Sequence, residues 1–389
     1  MKKILALVLA LCMVFALCAC GAKTEAPAEA PAAEAPAEAP AEAPVEAVEY
    51  KVAMITDYGD ITDQSFNQTT YEGCKEFCDA NSVEFKYYKP AGDSTAERVA
   101  MVDAAVADGF NVIVMPGFAF GETVVQTVEL YPDVHFIALD VSQGDLGDFV
   151  LPENVFCAVY QEELCGYMAG YAAVKLGYTK LGFLGGMAVP AVVRYGYGFV
   201  QGADAAAAEL GLTDVTMNYA YGNQFFGDAD ITAAMDTWYS AGTEVVFACG
   251  GGIYTSAAEA AAKVDGKVIG VDVDQAAIID GDYGEGMTVT SAMKGLSATV
   301  KSVLGDLILN DAWSNYAGQV STLGLIGEDP EANFVQLPVA STQFAEGFTE
   351  ADYTALVAAM FKGEVTVSSD IEAEPAVTAI TVDYQGNIK

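Results

Sequence analysis

Histidine and positive charge are what this chain of 389 residues has least of. It contains one histidine, His135, and 17 Lys and Arg residues against 54 Asp and Glu residues, which gives a formal net charge of −37. With so few Lys and Arg side chains, the protein could release few of the counterions held by nucleic-acid phosphates. We therefore expect no nucleic-acid partner. Catalytic schemes that need a histidine have one poor candidate, since His135 lies in the strand-like segment VHFIALD, where a core or strand-end role is expected.

Cysteine is also scarce in the part of the chain that should fold. Three of the eight cysteines belong to the first twenty residues, and the other five are Cys74, Cys78, Cys157, Cys165 and Cys249. Cys74 and Cys78 are four residues apart on one predicted helix, a spacing that favours packing over a disulfide. No Cys–His metal pattern is present, so we predict no metal site. We also predict no cofactor.

The first 49 residues are predicted to lie outside the fold. Residues 1–19 read as a lipoprotein signal peptide, with a basic start and an apolar run too short for a comfortable bilayer span. The segment LCACG at 17–21 reads as a lipobox that would lipidate Cys20; an ordinary signal peptide is the alternative. Residues 20–49 then repeat Glu, Ala and Pro, which predicts a disordered tether. We expect a protein anchored by lipid on the extracytoplasmic face of the cell membrane.

From about residue 50 onward, strand-like and helix-like segments alternate. This pattern predicts βαβ units and parallel sheets, and it starts again after Tyr160, which indicates two similar lobes. We assign residues 50–158 plus about 280–330 to lobe 1, residues 159–279 to lobe 2, and residues 331–389 to a C-terminal segment that crosses or packs on the lobes. A strand over residues 287–292 is expected to return to the edge of lobe 1.

The most informative motif is TDYGDITDQSFNQ at residues 56–68, which directly follows the apolar run VAMI. It places carboxylates and an aromatic ring at the carboxyl end of a strand, where open α/β sheets bind ligands. Ser65 and Gln68 also have the spacing of a capping box for the next helix.

This motif resembles the opening motif of the basic membrane protein family of substrate-binding lipoproteins, the purine-nucleoside receptors of ABC importers. The family pattern D-x-G-x-x-x-D-x-S-F-N-Q is matched at Asp57, Gly59, Asp63, Ser65, Phe66, Asn67 and Gln68. The resemblance implies a type I periplasmic-binding-protein fold, with two doubly wound parallel-sheet lobes joined by a multi-strand hinge. It also implies a receptor rather than an enzyme, with a nucleoside ligand and an ABC permease as its membrane partner. Tyr58 departs from the family, which has a small residue there.

The resemblance also implies which side chains hold the ligand. Asp57 would contact the ribose and Phe66 the base, with Ser65 and Asn67 beside them. Asp140 would face the purine ring, although a turn cap is the alternative for this residue. Further ribose contacts would be Gly250, Gly251, Asp272 and Lys294.

A second stacking ring is expected at Phe226, where adjacent Phe225 leaves the register open by one residue. Core packing remains the alternative for both Phe66 and Phe226, and a surface position remains the alternative for Lys294. A receptor for a sugar or another polyol would suit the same fold. A nucleoside hydrolase is less favoured, because the early aspartates are loosely spaced.

Overall fold

The computed structural model of the protein describes residues 48–389. The predicted signal peptide, the lipidation site at Cys20 and the tether up to residue 47 lie outside the described residues. The thirteen strands of the described part are β1 (Lys51–Ile55), β2 (Glu84–Tyr88), β3 (Val112–Pro116), β4 (His135–Leu139), β5 (Val155–Tyr160), β6 (Lys180–Gly185), β7 (Val215–Tyr221), β8 (Val245–Cys249), β9 (Lys267–Asp272), β10 (Thr288–Lys294), β11 (Gln319–Leu323), β12 (Val335–Gln336) and β13 (Ile380–Asn387).

Helices separate most of these strands, as the alternation in the sequence predicts. The eleven α-helices of the same part are α1 (Phe66–Asn81), α2 (Thr95–Ala107), α3 (Gly121–Thr127), α4 (Gln143–Leu146), α5 (Glu162–Lys175), α6 (Pro190–Leu210), α7 (Ala229–Ser240), α8 (Tyr254–Ala261), α9 (Ala276–Tyr283), α10 (Leu296–Ile308) and α11 (Glu350–Phe361).

The first lobe is built on six parallel strands in the order β11-β5-β4-β3-β1-β2. Its central strands are continuous apolar runs such as VIVMP in β3, buried throughout. Residues of α1 and α10 pack on one face of this sheet, and residues of α2 and α3 pack on the other. Helices on both faces explain why these strands are apolar throughout rather than alternating.

The second lobe is built on seven strands in the order β12-β10-β9-β8-β6-β7-β13. All of them are parallel except β12, which pairs antiparallel with β10. The segment after residue 331 adds to this lobe: α11 contacts α5, and β13 extends the sheet beside β7.

One predicted strand lies in the other lobe. The strand expected over residues 287–292 forms as β10, but it pairs with β9 in the second sheet and not with the edge of the first. Its placement in lobe 1 is therefore wrong. The physical reason is that β9, α9 and β10 form one more βαβ unit, and consecutive elements usually lie side by side. The edge of the first sheet is occupied instead by β11, which pairs with β5.

Three segments connect the lobes, at residues 160–162, 294–296 and 323–335, and they are hydrogen-bonded to one another. Gln161 N donates to Leu323 O at 2.9 Å, and Gly295 N donates to Phe334 O at 2.7 Å. Phe334 N donates in turn to Gly324 O at 3.0 Å. The connection is therefore a hinge of three paired segments.

Close packing of α5 against α6 fixes the part of the second lobe beside this hinge. Two glycines on each helix allow the approach: a Cβ at Gly166 or Gly170 would lie 2.2 or 2.1 Å from a carbonyl oxygen of α6. A Cβ at Gly198 or Gly202 would lie 2.2 or 2.0 Å from a carbonyl oxygen of α5. Such distances are impossible for a real side chain, so these four positions need glycine for close approach of the helices.

The scarce residues take structural positions. Within residues 48–389, all five cysteines are buried and free, which agrees with the packing role expected for Cys74 and Cys78. His135 begins β4 and packs edge-on against Trp313, with ring centroids 4.8 Å apart. Burial lowers the pKa of His135, so the imidazole favours its neutral form.

Candidate functional site

A cavity with a volume of about 360 Å³ lies between the lobes, at the carboxyl ends of the strands of both sheets. Its size is within the range of small-molecule sites, roughly 300–1,000 Å³. Nine of the ten predicted ligand-binding residues line it. They are Asp57, Phe66, Asn67, Asp140, Phe226, Gly250, Gly251, Asp272 and Lys294.

Ser65 is the predicted site residue that does not line the cavity. It is fully buried, and its hydroxyl donates a 2.6 Å hydrogen bond to Asp272 Oδ2. Its predicted capping bond is also absent, so that prediction is wrong. The Asp63 carboxylate binds the start of α1 instead, because it accepts hydrogen bonds from Ser65 N at 2.9 Å, Asn67 N at 3.0 Å and Gln68 N at 3.1 Å.

Asp57 is held at the end of β1 by its own loop. Its Oδ1 accepts from Tyr58 N at 2.6 Å and from Gly59 N at 2.7 Å. Burial raises the pKa of Asp57, and the two backbone hydrogen bonds oppose that rise. Gly117 leaves room for the carboxylate, since a Cβ there would lie 2.8 Å from Asp57 Oδ2.

Asp140 and Asp272 follow or end strands of opposite lobes in the same unusual backbone conformation. Their φ angles are 59° and 64°, in the left-handed region that aspartate tolerates better than most residues. Such strain is typical of functional sites and must be offset by the surroundings. Both residues belong to a single charge cluster around Lys294.

Lys294, at the end of β10, is the centre of that cluster. Its Nζ lies 2.7 Å from Asp140 Oδ2, 3.2 Å from Glu162 Oε1 and 3.9 Å from Asp272 Oδ1. Burial alone would lower the pKa of Lys294, but the three carboxylates hold it above its ordinary value. Lys294 is thus a buried cation, and the surface position considered from the sequence is wrong.

One oxygen of the Asp140 carboxyl forms no hydrogen bond within the described residues. Burial raises its pKa to about 6, against the opposing attraction of Lys294. Oδ2 binds Lys294, whereas Oδ1 is buried with no hydrogen-bond partner among the described residues. An unpaired buried acceptor in a cavity wall is open to a donor from a ligand.

The aromatic rings of the cavity come from both lobes. The Lys294 Nζ lies 4.8 Å from the centre of the Phe66 ring. Phe225 and Phe226 both line the cavity, but Phe226 is 60% exposed whereas Phe225 packs against the second lobe. Tyr58 crosses the cleft: its hydroxyl donates to Met187 Sδ at 3.2 Å, and its ring centre lies 6.4 Å from that of Phe225.

Gly250 and Gly251 make room for Phe225 as well as lining the cavity. Their φ angles are 147° and 53°. A Cβ at Gly250 would lie 2.8 Å from Phe225 Cδ1, and one at Gly251 would lie 2.8 Å from Phe225 O. The two glycines therefore fix the loop that carries the aromatic pair, in addition to the backbone access that the sequence predicts.

Sequence reasoning missed Glu162 and Tyr195. Glu162 opens α5 directly after β5 and is fully buried, and its second oxygen accepts from Arg194 Nε at 2.6 Å. Tyr195, on α6, donates to Asp272 at 3.3 Å and lines the cavity. The position of Glu162 after a buried strand was a usable signal, whereas Tyr195 lies inside a helix that carries no motif.

Two features are absent from residues 48–389. No helix in this range combines the length and apolar character needed to cross a membrane. No three His, Cys, Asp or Glu side chains in the same range are grouped so as to hold a metal ion.

Two sheet-based lobes around a polar and aromatic cleft define the type I periplasmic-binding-protein fold. Solved structures of ABC transporter solute-binding proteins share this fold. The one from Aeropyrum pernix K1 has a TM-score of 0.62 at 22% identity, covering 83% of this chain and 88% of that chain. The one from Conexibacter woesei has a TM-score of 0.63 at 22% identity, covering 82% and 99%. The predicted fold class is confirmed.

The chain belongs to the Bmp family of PnrA-like ABC transporter substrate-binding proteins, whose family model matches residues 50–326. Its relatives include the ABC transporter nucleoside-binding protein BmpA of Lactococcus lactis, 28% identical over 58% of this chain and 65% of that protein. Basic membrane protein B of Borreliella burgdorferi is 28% identical over 71% of this chain and 78% of that protein. The match spans slightly less than two thirds of the Lactococcus protein. Membership confirms the predicted family and a receptor rather than an enzyme.

Proposed function

We propose that the protein is a lipid-anchored extracytoplasmic receptor of an ABC importer that binds nucleosides, preferentially purine nucleosides, in the cleft between its lobes. Family membership supports the receptor role, and the name of the Lactococcus relative supports the ligand class. Closure of the lobes around the ligand would create the surface that the membrane permease recognises.

The observation that carries this proposal is the unpaired Oδ1 of Asp140. Leaving a buried acceptor unsatisfied costs about 1–3 kcal/mol, which a ligand recovers by donating a hydrogen bond there. A purine base with a ring N–H, such as hypoxanthine or guanine, offers such a donor. Phe66 and Phe226, from opposite lobes, would stack on the same base, at roughly 1–3 kcal/mol per base.

The remaining charged groups suit a ribose. Asp57 and Asp272 would accept hydrogen bonds from sugar hydroxyls, and Lys294 would donate to a ribose oxygen. The same groups suit a free sugar or another polyol, so the base must be tested separately from the sugar. Asn67 has a buried Oδ1 without a partner among the described residues, which supports its predicted place at the ligand.

Thermal unfolding of the ligand-free protein with inosine, guanosine, hypoxanthine, ribose and common hexoses separates these possibilities. A ligand at 100 times its Kd adds about 2.7 kcal/mol of stability. We expect a large stabilisation by inosine and guanosine and little by ribose or free base. Stabilisation by hexoses alone would replace the nucleoside assignment with the polyol alternative.

The anchor is tested on the protein made in a bacterial host. Mass spectrometry should find a mature N-terminal Cys20 carrying lipid, and Cys20→Ala should release the protein from the membrane. A mature chain that begins elsewhere and carries no lipid would support the ordinary signal peptide instead.

A further inference from the structure

The carboxylates around Lys294 belong to different lobes. Asp140 follows β4 in the first lobe, whereas Glu162 on α5 and Asp272 on β9 lie with Lys294 in the second. The 2.7 Å pair between Lys294 and Asp140 therefore crosses the cleft, and the 3.2 Å contact with Glu162 does not. Opening of the lobes would separate the first pair and leave the second.

Asp272 is less available to Lys294 than Glu162 is. Its Oδ1 lies 3.9 Å from Lys294 Nζ and accepts a hydrogen bond from Tyr195 of the same lobe at 3.3 Å. The 2.6 Å bond from Ser65 to its Oδ2 crosses the cleft, so lobe opening would separate that bond as well. Glu162 is therefore the nearer carboxylate of the same lobe.

Glu162 is itself firmly placed. Its side chain is fully buried, and the Oε2 that does not face Lys294 accepts from Arg194 Nε at 2.6 Å. Arg194 lies on α6, and the four glycines between α5 and α6 bring the two helices into backbone contact. Since α5 also contacts β10, the Glu162 carboxylate moves with Lys294.

We infer that Glu162, supported by Arg194, is a positioning residue that keeps the Lys294 ammonium paired and directed at the cleft when lobe opening withdraws Asp140. Without it, lobe opening would leave Asp272, 3.9 Å away, as the one carboxylate near the ammonium, which would then turn away from the ligand site or lose its proton more readily. The inference rests on the proposed function for the choice of ligand alone.

The groups that face Lys294 determine the pH at which its ammonium releases a proton. Besides the three carboxylates, the rings of Tyr160 and Tyr195 lie 5.4 and 5.6 Å from its Nζ. Burial holds the pKa of both tyrosines above its ordinary value, so neither hydroxyl contributes charge. Removing the Glu162 charge should therefore lower the pH at which Lys294 releases its proton.

Glu162→Gln removes that charge at nearly constant volume, and Glu163→Gln is its matched control. Glu163 is the next residue, only 3% exposed, and its Oε2 has no partner among the described residues. Calorimetry with inosine from about pH 7 to about pH 11, a range that passes through the ordinary pKa of lysine, is the measurement. We expect Glu162→Gln to bind at least about tenfold more weakly, with a deficit that grows as the pH rises, while Glu163→Gln stays within about twofold.

A readout without ligand separates this inference from the nucleoside assignment. NMR of protein labelled with 13C-lysine gives the titration midpoint of Lys294, identified by the resonance lost in Lys294→Met. We expect a lower midpoint in Glu162→Gln than in the wild type and in Glu163→Gln. If that shift occurs but the wild type binds no nucleoside, the positioning role stands and the nucleoside assignment fails.

Unchanged affinity and an unchanged midpoint in Glu162→Gln would overturn the inference. If Glu162→Gln does not fold, Glu162→Asp replaces it, because that variant keeps the charge but shortens the reach by one methylene. Weaker inosine binding in Glu162→Asp, with wild-type unfolding temperature, would support the positioning role. Wild-type binding in that variant would contradict it.

Discussion

Ser65 and Asp272 join the two lobes through a 2.6 Å hydrogen bond from the Ser65 hydroxyl to the Asp272 carboxylate. One residue earlier, the Gln64 carbonyl accepts from Gln275 Nε2 at 3.0 Å. Two hydrogen bonds thus connect the segment before α1 to the end of β9 and the loop that follows it. We therefore expect Ser65 to act on ligand binding through Asp272 rather than by direct contact.

Replacing Ser65 by alanine should weaken ligand binding without unfolding the protein. Hydrogen bonds to charged groups contribute about 1.5–3 kcal/mol, so we expect affinity for inosine to fall by about tenfold or more. Calorimetry measures the affinity, and small-angle scattering measures whether the ligand-free lobes move apart. Thr349→Ala is the control, because it removes a helix cap of α11 that does not line the cavity and should lower stability alone. Unchanged affinity in Ser65→Ala would contradict the role given to this bond.

Acid should release the ligand through Asp140. Burial raises its pKa from 3.8 to about 6 in the ligand-free protein. A ligand that donates to the carboxylate binds the ionised form, so affinity should fall by up to about tenfold per pH unit below that value. Asp140→Asn should bind weakly and lose this pH dependence. A wild-type affinity that stays flat down to about pH 5, more than a unit above the ordinary pKa of Asp, would show that Asp140 does not receive the ligand proton.

The raised pKa of Asp140 has the opposite effect on the stability of the ligand-free protein, which acid should increase. Because the folded pKa of Asp140 is raised, the folded state binds a proton more readily than the unfolded state between about pH 4 and pH 6. The contribution of this group is present at low pH and lost as the pH rises through about 6. Chemical unfolding at several pH values should show that the free energy of unfolding falls more in the wild type than in Asp140→Asn as the pH rises through about 6.

The two adjacent phenylalanines should separate stacking from packing. Phe226 is 60% exposed, so Phe226→Ala should leave the unfolding temperature nearly unchanged and weaken nucleoside binding by roughly 1–3 kcal/mol. Phe225→Ala should lower stability as well, because Phe225 packs beside Gly186 and Gly250. If Phe225→Ala alone loses affinity, the stacking ring is Phe225 and the register shifts by one residue.

The glycines between α5 and α6 give a stability test with a built-in control. A methyl group at Gly198 would lie 2.2 Å from Glu163 O, so Gly198→Ala should lower the free energy of unfolding by about 1–3 kcal/mol or more. Gly305, on α10, has its nearest neighbour, Phe77 Cε2, at an ordinary 3.8 Å. Gly305→Ala should therefore raise stability by about 0.5–1 kcal/mol through helix propensity. Denaturant titration of both variants makes the comparison, and equal effects would contradict the close-packing argument.

Much of the fold follows from local sequence patterns. The alternation of strand-like and helix-like segments predicted from about residue 50 onward is present in the structure, because short apolar runs and the turns between them are local signals. Placement of β10 could not be predicted in this way, since a buried strand of seven residues fits either sheet and the choice depends on which edge is free. Strand type is a local property, whereas sheet membership is decided by long-range pairing.

The site residues likewise differ in whether local sequence or long-range contact determines their role. Strand-end residues such as Asp57, Asp140 and Asp272 were predictable, because parallel strands carry their loops to one edge. The direction of the Ser65 hydroxyl was not, since it depends on a carboxylate 207 residues later in the chain. The role of Asp63 at the start of α1 was not predicted because both Ser65 and Asp63 can accept hydrogen bonds there. The contact of Ser65 with Asp272 leaves that role to Asp63.

The three hydrogen-bonded connections between the lobes have a mechanical consequence. Segments tied to one another at Gln161, Gly295 and Phe334 resist sliding and twisting more than they resist bending, so the lobes should move along essentially one angular coordinate. One distance between dyes, one on each lobe, would then report the whole motion. The receptor would in that case serve directly as an optical sensor for its own ligand.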